Sequence, residues 1–253
     1  MDRENIKRQF NKYVADYNAS DPKIALKIAH TFRVAELSDR IASENGAKGD
    51  DIEIAWAIGM LHDIARFEQV RIYNTFNDSQ SVDHAEFGVK LLFEDNLISR
   101  FEIATEWYEL IEKAIRYHNK FRLPEDLSER QLFFCKVIRD ADKIDILRVN
   151  YETPMEEIYN TTREILENDD ISDSVYDEFF KNTAINHSLK RTKIDHLVGH
   201  VSLCFELEYE ISRKILLEQG YLQKLLMFES KNPNTAKRIS AIKDYILKFL
   251  TVE

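Results

Sequence analysis

Apolar residues recur at intervals of three and four through most of this chain, in long stretches that neither glycine nor proline interrupts. Ile6, Phe10, Tyr13, Val14 and Tyr17 set the pattern over residues 3–19. That period is the signature of an amphipathic helix. Only six Gly and four Pro occur in 253 residues, so few positions can stop a helix, and the chain is expected to be all-α. Asp21-Pro22 caps and starts a second helix, which runs to Asn45-Gly46. Asp50-Asp51 opens a third, ending at His62-Asp63. Residues 66–81, rich in Asn, Asp and Ser, read as a loop. Ser81 or Asp83 caps a helix carrying His84, another spans about 101–119 and ends at His118, and Ser128 begins a long one containing Asp142. Further on, helices are expected from Pro154 to Leu166, over about 193–218 with Gly220 as terminator, and near 221–230 and 235–251. The acidic run Glu167–Asp177 reads as a solvated loop or helix end. The expected division is a core over 1–150 and a helical extension over 151–253.

A formal net charge of −10 argues against a bulk nucleic-acid surface, though not against a small basic pocket for a phosphorylated metabolite. Cys135 and Cys204 sit in apolar helical contexts without metal-ligand or disulfide spacing, as expected for two buried free thiols in a reducing compartment. The N-terminus is too polar for a signal peptide and no apolar run approaches membrane-spanning length. The expectation is a soluble cytoplasmic protein without membrane contact; a homodimer is allowed.

Six residues carry chemistry: His30, His62, Asp63, His84, His118 and Asp142. Each lies on an apolar helix face or at a helix end, where an unpartnered polar group is costly. A lone histidine on such a face is usually a hydrogen-bonded core residue. Four histidines and two aspartates in that situation are satisfied together by convergence on a metal, since imidazole and carboxylate both ligate divalent ions and a carboxylate can bridge two.

In chain order these residues read Ala29-His30-Thr31, Leu61-His62-Asp63-Ile64 and Asp140-Ala141-Asp142-Lys143. The pattern resembles the signature of HD-domain metal-dependent phosphohydrolases over about residues 20–150. His84 and His118, in Asp83-His84-Ala85 and Ile115-Arg116-Tyr117-His118, resemble the further ligands of members that hold a second metal. The bacterial HD-type diadenosine tetraphosphate hydrolases are similar in having both, while residues 150–253 have no counterpart there. The resemblance implies an all-α HD-domain bundle with a helical C-terminal extension. It implies a first metal on His30, His62, Asp63 and Asp142, and a second on His84 and His118 with Asp63 bridging. It implies hydrolysis of a phosphate ester or anhydride, of a nucleotide above others, by metal-activated water. The cofactor would be one or two divalent transition-metal ions, with Fe, Mn, Ni or Co favoured by the mixed ligands over Zn or Mg. A non-catalytic nucleotide sensor and a di-iron oxygenase on the same scaffold are the alternatives.

Asp63, Arg66 and Lys143 are the candidate catalytic residues. Arg66 lies one helical turn past His62-Asp63, placed to clamp a phosphate; a surface ion pair with Glu68 or another acid is the plain reading. Lys143 follows Asp142 and is placed either near substrate or in a structural ion pair. Glu86 and Asp145 are candidates to orient ligands, with exposed or structural roles as the plain readings. Lys190, Arg191, His196 and His200, with His187 and Lys193 nearby, concentrate positive charge in an acidic chain. His196 and His200 share a helix face but lack the HExxH pattern, so phosphate binding is favoured over a further metal. The plain reading is a solvated basic helix start paired with the acidic run.

Overall fold

A computed structural model describes residues 1–251. No strand occurs among them. The chain forms two compact units, Met1–Asp142 and Lys143–Glu253.

In the first unit, α1 (Arg3–Val14) starts where the Asp2 carboxylate accepts the Asn5 N–H at 3.0 Å. α2 (Pro22–Glu44) has proline at its start and the Asp21 carboxylate on the Lys23 N–H at 2.8 Å; both satisfy donors that a helix start leaves open. α3 (Asp50–Leu61) carries Asp50, Asp51 and Glu53 against its positive end. From Ile54 to Leu61 every residue of α3 is buried, so this helix is the centre of the unit. α2 packs along it, and the approach is set by Gly59. A Cβ there would stand 2.5 Å from the Ala35 Cα, closer than any side chain tolerates.

α4 (Ala65–Tyr73), α5 (His84–Val89) with a π turn over Lys90–Glu94, and α6 (Tyr108–Tyr117) follow. α7 (Glu129–Glu152) begins with a reciprocal cap in which Ser128 and Gln131 each donate backbone N–H to the other's side chain. Phe10 meets Phe32 and Phe67 edge to face at 5.6 and 5.7 Å, and the Tyr13 hydroxyl donates to the Ile64 carbonyl at 3.2 Å. α1 is thereby tied to the turn that carries His62-Asp63.

The second unit contains the remainder of α7, α8 (Met155–Ile158), α9 (Arg163–Asn168), α10 (Asp173–Phe179), α11 (Lys193–Val201), α12 (Glu210–Gln219), α13 (Tyr221–Leu225) and α14 (Pro233–Thr251). Val175, Phe179, Ile194, Cys204, Ile215 and Leu222 are among its fully buried residues. Gly220 is left-handed at φ 70° and ends α12.

Several boundaries differ from the sequence expectation. The stretch read as a loop over 66–81 is helical as far as Tyr73, because Phe67 and Val70 bury one face among polar neighbours; it stops at Asn74, left-handed at φ 54°. The helix expected from about 101 starts only at Tyr108, after Glu102 adopts φ 55°. The first helix stops at Val14 rather than continuing to 19. The helix expected from Pro154 to Leu166 is broken at Asn160, φ 46°, and the one expected over 193–218 is broken at 202–209 by a 3-10 turn and extended residues. The acidic run is not simply solvated: Ile171 and Val175 are buried, and the Asp169 carboxylate accepts the N–H groups of Lys193 and Ile194 at the start of α11. No helix among the described residues is long and apolar enough to cross a membrane.

Gly59→Ala is expected to destabilise the protein by about 1–3 kcal/mol through forced separation of α2 and α3, read as a lower urea midpoint. An unchanged midpoint would show that the two helices have slack there.

Candidate metal centre

The six residues singled out by sequence converge in the first unit. His30 is in the middle of α2, and His62-Asp63 form the turn between α3 and α4. His84 is the first residue of α5, His118 follows the last turn of α6, and Asp142 is inside α7. All but Asp142 are buried, and Asp142 is largely so. Asp63 stands between two imidazole pairs. Its Oδ2 lies 3.5 Å from His30 Nε2 and 3.5 Å from His62 Nε2. Its Oδ1 lies 3.5 Å from His84 Nε2 and 3.9 Å from His118 Nε2. Asp142 Oδ1 closes the first group, 3.1 Å from His30 Nε2 and 3.8 Å from His62 Nε2. Ligands placed at roughly 2.1 Å around one divalent ion are separated by roughly 3 Å or more, the spacing seen here. Three overlapping groups of potential ligand atoms result: His30, His62 and Asp63; His62, His118 and Asp142; Asp63, His84 and His118.

The hydrogen bonds to the outer nitrogens decide what the inner ones present. His62 Nδ1 donates to the Gly59 carbonyl at 2.8 Å, His118 Nδ1 to the Ile115 carbonyl at 2.6 Å, and His84 Nδ1 to the Asp78 carboxylate at 2.5 Å. Each of these rings therefore turns an Nε2 lone pair inward. His62 Nε2 is fully buried and has no hydrogen-bond partner. His84 Nε2 and His118 Nε2 face each other at 2.9 Å, two acceptors in contact with no donor between them. A cation satisfies both positions, so the residues present fit a divalent metal.

The charges are arranged to keep the acids ionised. Burial opposes ionisation of Asp63, but the Lys27 ammonium, His62, His30 and Arg66 together hold it well below the usual carboxylate range. Asp142 is likewise held down against its burial by His30 and His62. Burial, then the proximity of His84 and His62, pushes His118 down to about 3, and burial with the Arg66 charge lowers His84. Neutral imidazoles and ionised carboxylates are the forms that bind metals.

Sequence reasoning missed Lys27 and Asp78. Lys27 Nζ is 2.5 Å from Asp63 Oδ2; its spacing of three before His30 placed it on the same helix face, a signal that was present. Asp78 orients His84 and accepts from Arg66 Nη1 at 2.8 Å. It lies in the irregular stretch after α4, where nothing in the sequence distinguishes it from its neighbours. Arg66 does not pair with Glu68, which is taken by Arg71 and Tyr17. Arg66 Nη1 instead donates to Gln69 Oε1, the Phe76 carbonyl and Asp78, and its Nε lies 3.4 Å from Asp63 Oδ1. Glu86 pairs with Arg116, away from the ligand set. Asp83 caps α5 through the Ala85 N–H and binds Lys120 and Asn119.

Lys143 opens the second unit, and Asp145 is buried there. Lys190, Arg191, His196 and His200 are also in that unit. Arg191 is exposed, whereas Lys190, His196 and His200 are half-buried around α11. The Tyr151 and Tyr221 rings meet tilted, 5.8 Å apart.

Among known families, the HD domain matches residues 28–147. That span contains all six converging residues. No curated protein and no solved structure matches the chain.

Asp78→Ala is expected to free the His84 ring and weaken metal binding on the His84–His118 side by roughly 10–100-fold, leaving the His30–His62 side within a few-fold. Competitive titration with a metal-binding dye resolves the two. Equal weakening of both, or of neither, would contradict the orienting role.

Proposed function

We propose, for a chain whose residues 28–147 belong to the HD-domain family, a metal-dependent phosphohydrolase acting on a phosphate ester or phosphoanhydride, a nucleotide above others. HD domains bind divalent metals and are typical of such hydrolases. The observation that carries the reading is Asp63. Its two oxygens face two separate imidazole pairs, the arrangement a carboxylate needs to serve two ions. Divalent metal held by these residues would supply a Lewis acid for a phosphoryl oxygen and a more acidic bound water.

The chain's own residues have distinct tasks. His30, His62 and Asp142 hold one side and His84 and His118 the other, with Asp63 common to both. Asp78 fixes the His84 ring. Arg66 is the phosphate clamp of this reading: its Nη1 is locked by three acceptors, so the guanidinium is pre-set and the remaining Nη2 is left for a substrate oxygen. Lys27 and Arg66 both approach the Phe76 ring, at 5.4 and 5.7 Å, which places two cations beside the bridging carboxylate. Lys143, next in chain to Asp142, is the third candidate for contact with the substrate. The mixed imidazole and carboxylate donors favour Fe, Mn, Ni or Co.

Protein purified without chelator should carry one or two transition-metal ions per chain by elemental analysis. With Mn or Fe present, a panel of nucleotides and phosphomonoesters should yield a released phosphate or nucleotide. Asp63→Ala should lower that rate by about a thousand-fold or more, since several kcal/mol of charge stabilisation would be lost. Absence of metal with no rebinding would remove the site. Metal without turnover across the panel would leave the sensor or the oxygenase.

A further inference from the structure

The second unit holds a cluster of basic groups with no function in the reading above. Lys190 lies across α11 at Gly199: a Cβ on that glycine would stand 2.4 Å from Lys190 Cε and 2.5 Å from its Nζ. The helix therefore leaves out a side chain where the lysine rests. His196 and His200 flank Gly199 on the same helix. The His187 ring meets His196 edge to face at 5.5 Å. Tyr159 backs the group, with its ring stacked on His200 at 5.7 Å. The Tyr159 hydroxyl donates to Asn150 Oδ1 at 3.1 Å and takes the Nδ1–H of His200 at 3.3 Å, which turns the His200 Nε2 lone pair outward.

Among the described residues no acid makes a direct ion pair with these groups. Lys190 Nζ makes no ion pair or hydrogen bond with any described residue. Asp195 is the acid whose charge acts on Lys190 and His196. Its two oxygens are already taken by the Ser172 N–H and hydroxyl and by the Arg191 and Thr192 N–H groups. Burial, and then the charge of Lys190, pushes His196 down to about 4 and His200 to about 3, and burial lowers Lys190 itself. A half-buried ammonium with no direct hydrogen-bonding partner is costly, and the Asp195 charge acts on it only without contact.

We infer that Lys190, seated on Gly199 between His196 and His200, is the anchor of a phosphate-binding pocket in the second unit. A tetrahedral oxyanion supplies Lys190 Nζ with a direct, charged hydrogen-bond partner. Its hydroxyl, in the monoanionic form, can donate to His200 Nε2, and the half-buried His196 and exposed His187 leave the pocket open to solvent. The ligand is free phosphate or the phosphate of a monoester. The inference stands independently of hydrolysis, because none of these residues belongs to the metal centre.

The test is calorimetric titration of the full chain and of its Asp63→Ala variant with inorganic phosphate and, separately, with adenosine 5′-monophosphate. A binding event should persist in Asp63→Ala, in which the metal centre no longer holds phosphate, and the variants below are read on that persisting event. Lys190→Met should weaken it by about ten-fold or more, as loss of a charged hydrogen bond does. Gly199→Ala, which displaces the lysine without removing it, should also weaken it, and circular dichroism verifies that each variant is folded. Arg191→Met, at an exposed position, should change it by less than about two-fold. Tighter binding of the nucleotide assigns a monoester, and equal binding assigns free phosphate. No binding of either probe, loss in Asp63→Ala, or an equal loss in Arg191→Met would overturn the inference.

Discussion

The first unit is organised around a buried carboxylate that needs positive charge on both sides. Asp63 is almost fully enclosed, and its ionised form survives because Lys27, Arg66 and the surrounding imidazoles face it. Burying such a group in an apolar core without those partners would cost several kcal/mol. Five separate parts of the chain must be brought together to supply them, so the fold and the site are one constraint. Three of the inward histidines, His62, His118 and His84, are in turn fixed by a carbonyl or carboxylate behind them, through Gly59, Ile115 and Asp78. The preorganisation is therefore built from backbone as much as from side chains.

The packing that delivers this is local and identifiable. α3 is buried along its whole second half, and it can approach α2 only because residue 59 has no side chain. That contact brings His30 on α2 to the turn after α3. The Tyr13 hydroxyl holds the same turn from the other side through the Ile64 carbonyl. Arg66, at the start of α4, connects the turn to Asp78, and Asp78 connects to His84. Arg66, Asp78 and His84 thus form a hydrogen-bonded relay whose two ends, Arg66 Nε and His84 Nε2, stand 3.4 and 3.5 Å from Asp63 Oδ1.

The second unit follows a different logic. Its acidic stretch, which sequence alone makes look like solvent-exposed chain, is used to cap and brace α11: Asp169 serves the first N–H groups of that helix, and Asp195 reaches back to Ser172. These acids are thereby committed to helix starts and to Ser172, and Lys190 is left without a direct acidic partner. The basic concentration read from the sequence is real, but it divides. Arg191 is exposed, whereas Lys190 is enclosed at Gly199.

The sequence alone carried the helical class, from the three-and-four period and the scarcity of breakers, and it carried the six converging residues, because each placed a polar group where periodicity demanded an apolar one. It also located several helix starts with a short-range cap, at Asp21-Pro22, at Ser81 or Asp83 and at Ser128, but not the Thr162 cap of α9. It failed where long-range burial overrides local composition. α4 was hidden because only Phe67 and Val70 mark its buried face, and the breaks at Asn160 and after Val201 were hidden because no Gly or Pro announces them. Lys27 and Asp78 were missed for a related reason: lysine and aspartate are abundant on any surface, and only the tertiary structure shows which of them points at Asp63 or His84. Spacing along a helix fixes which residues share a face. Which faces meet, and which charges are thereby deprived of water and must find one another, is decided only when the helices pack.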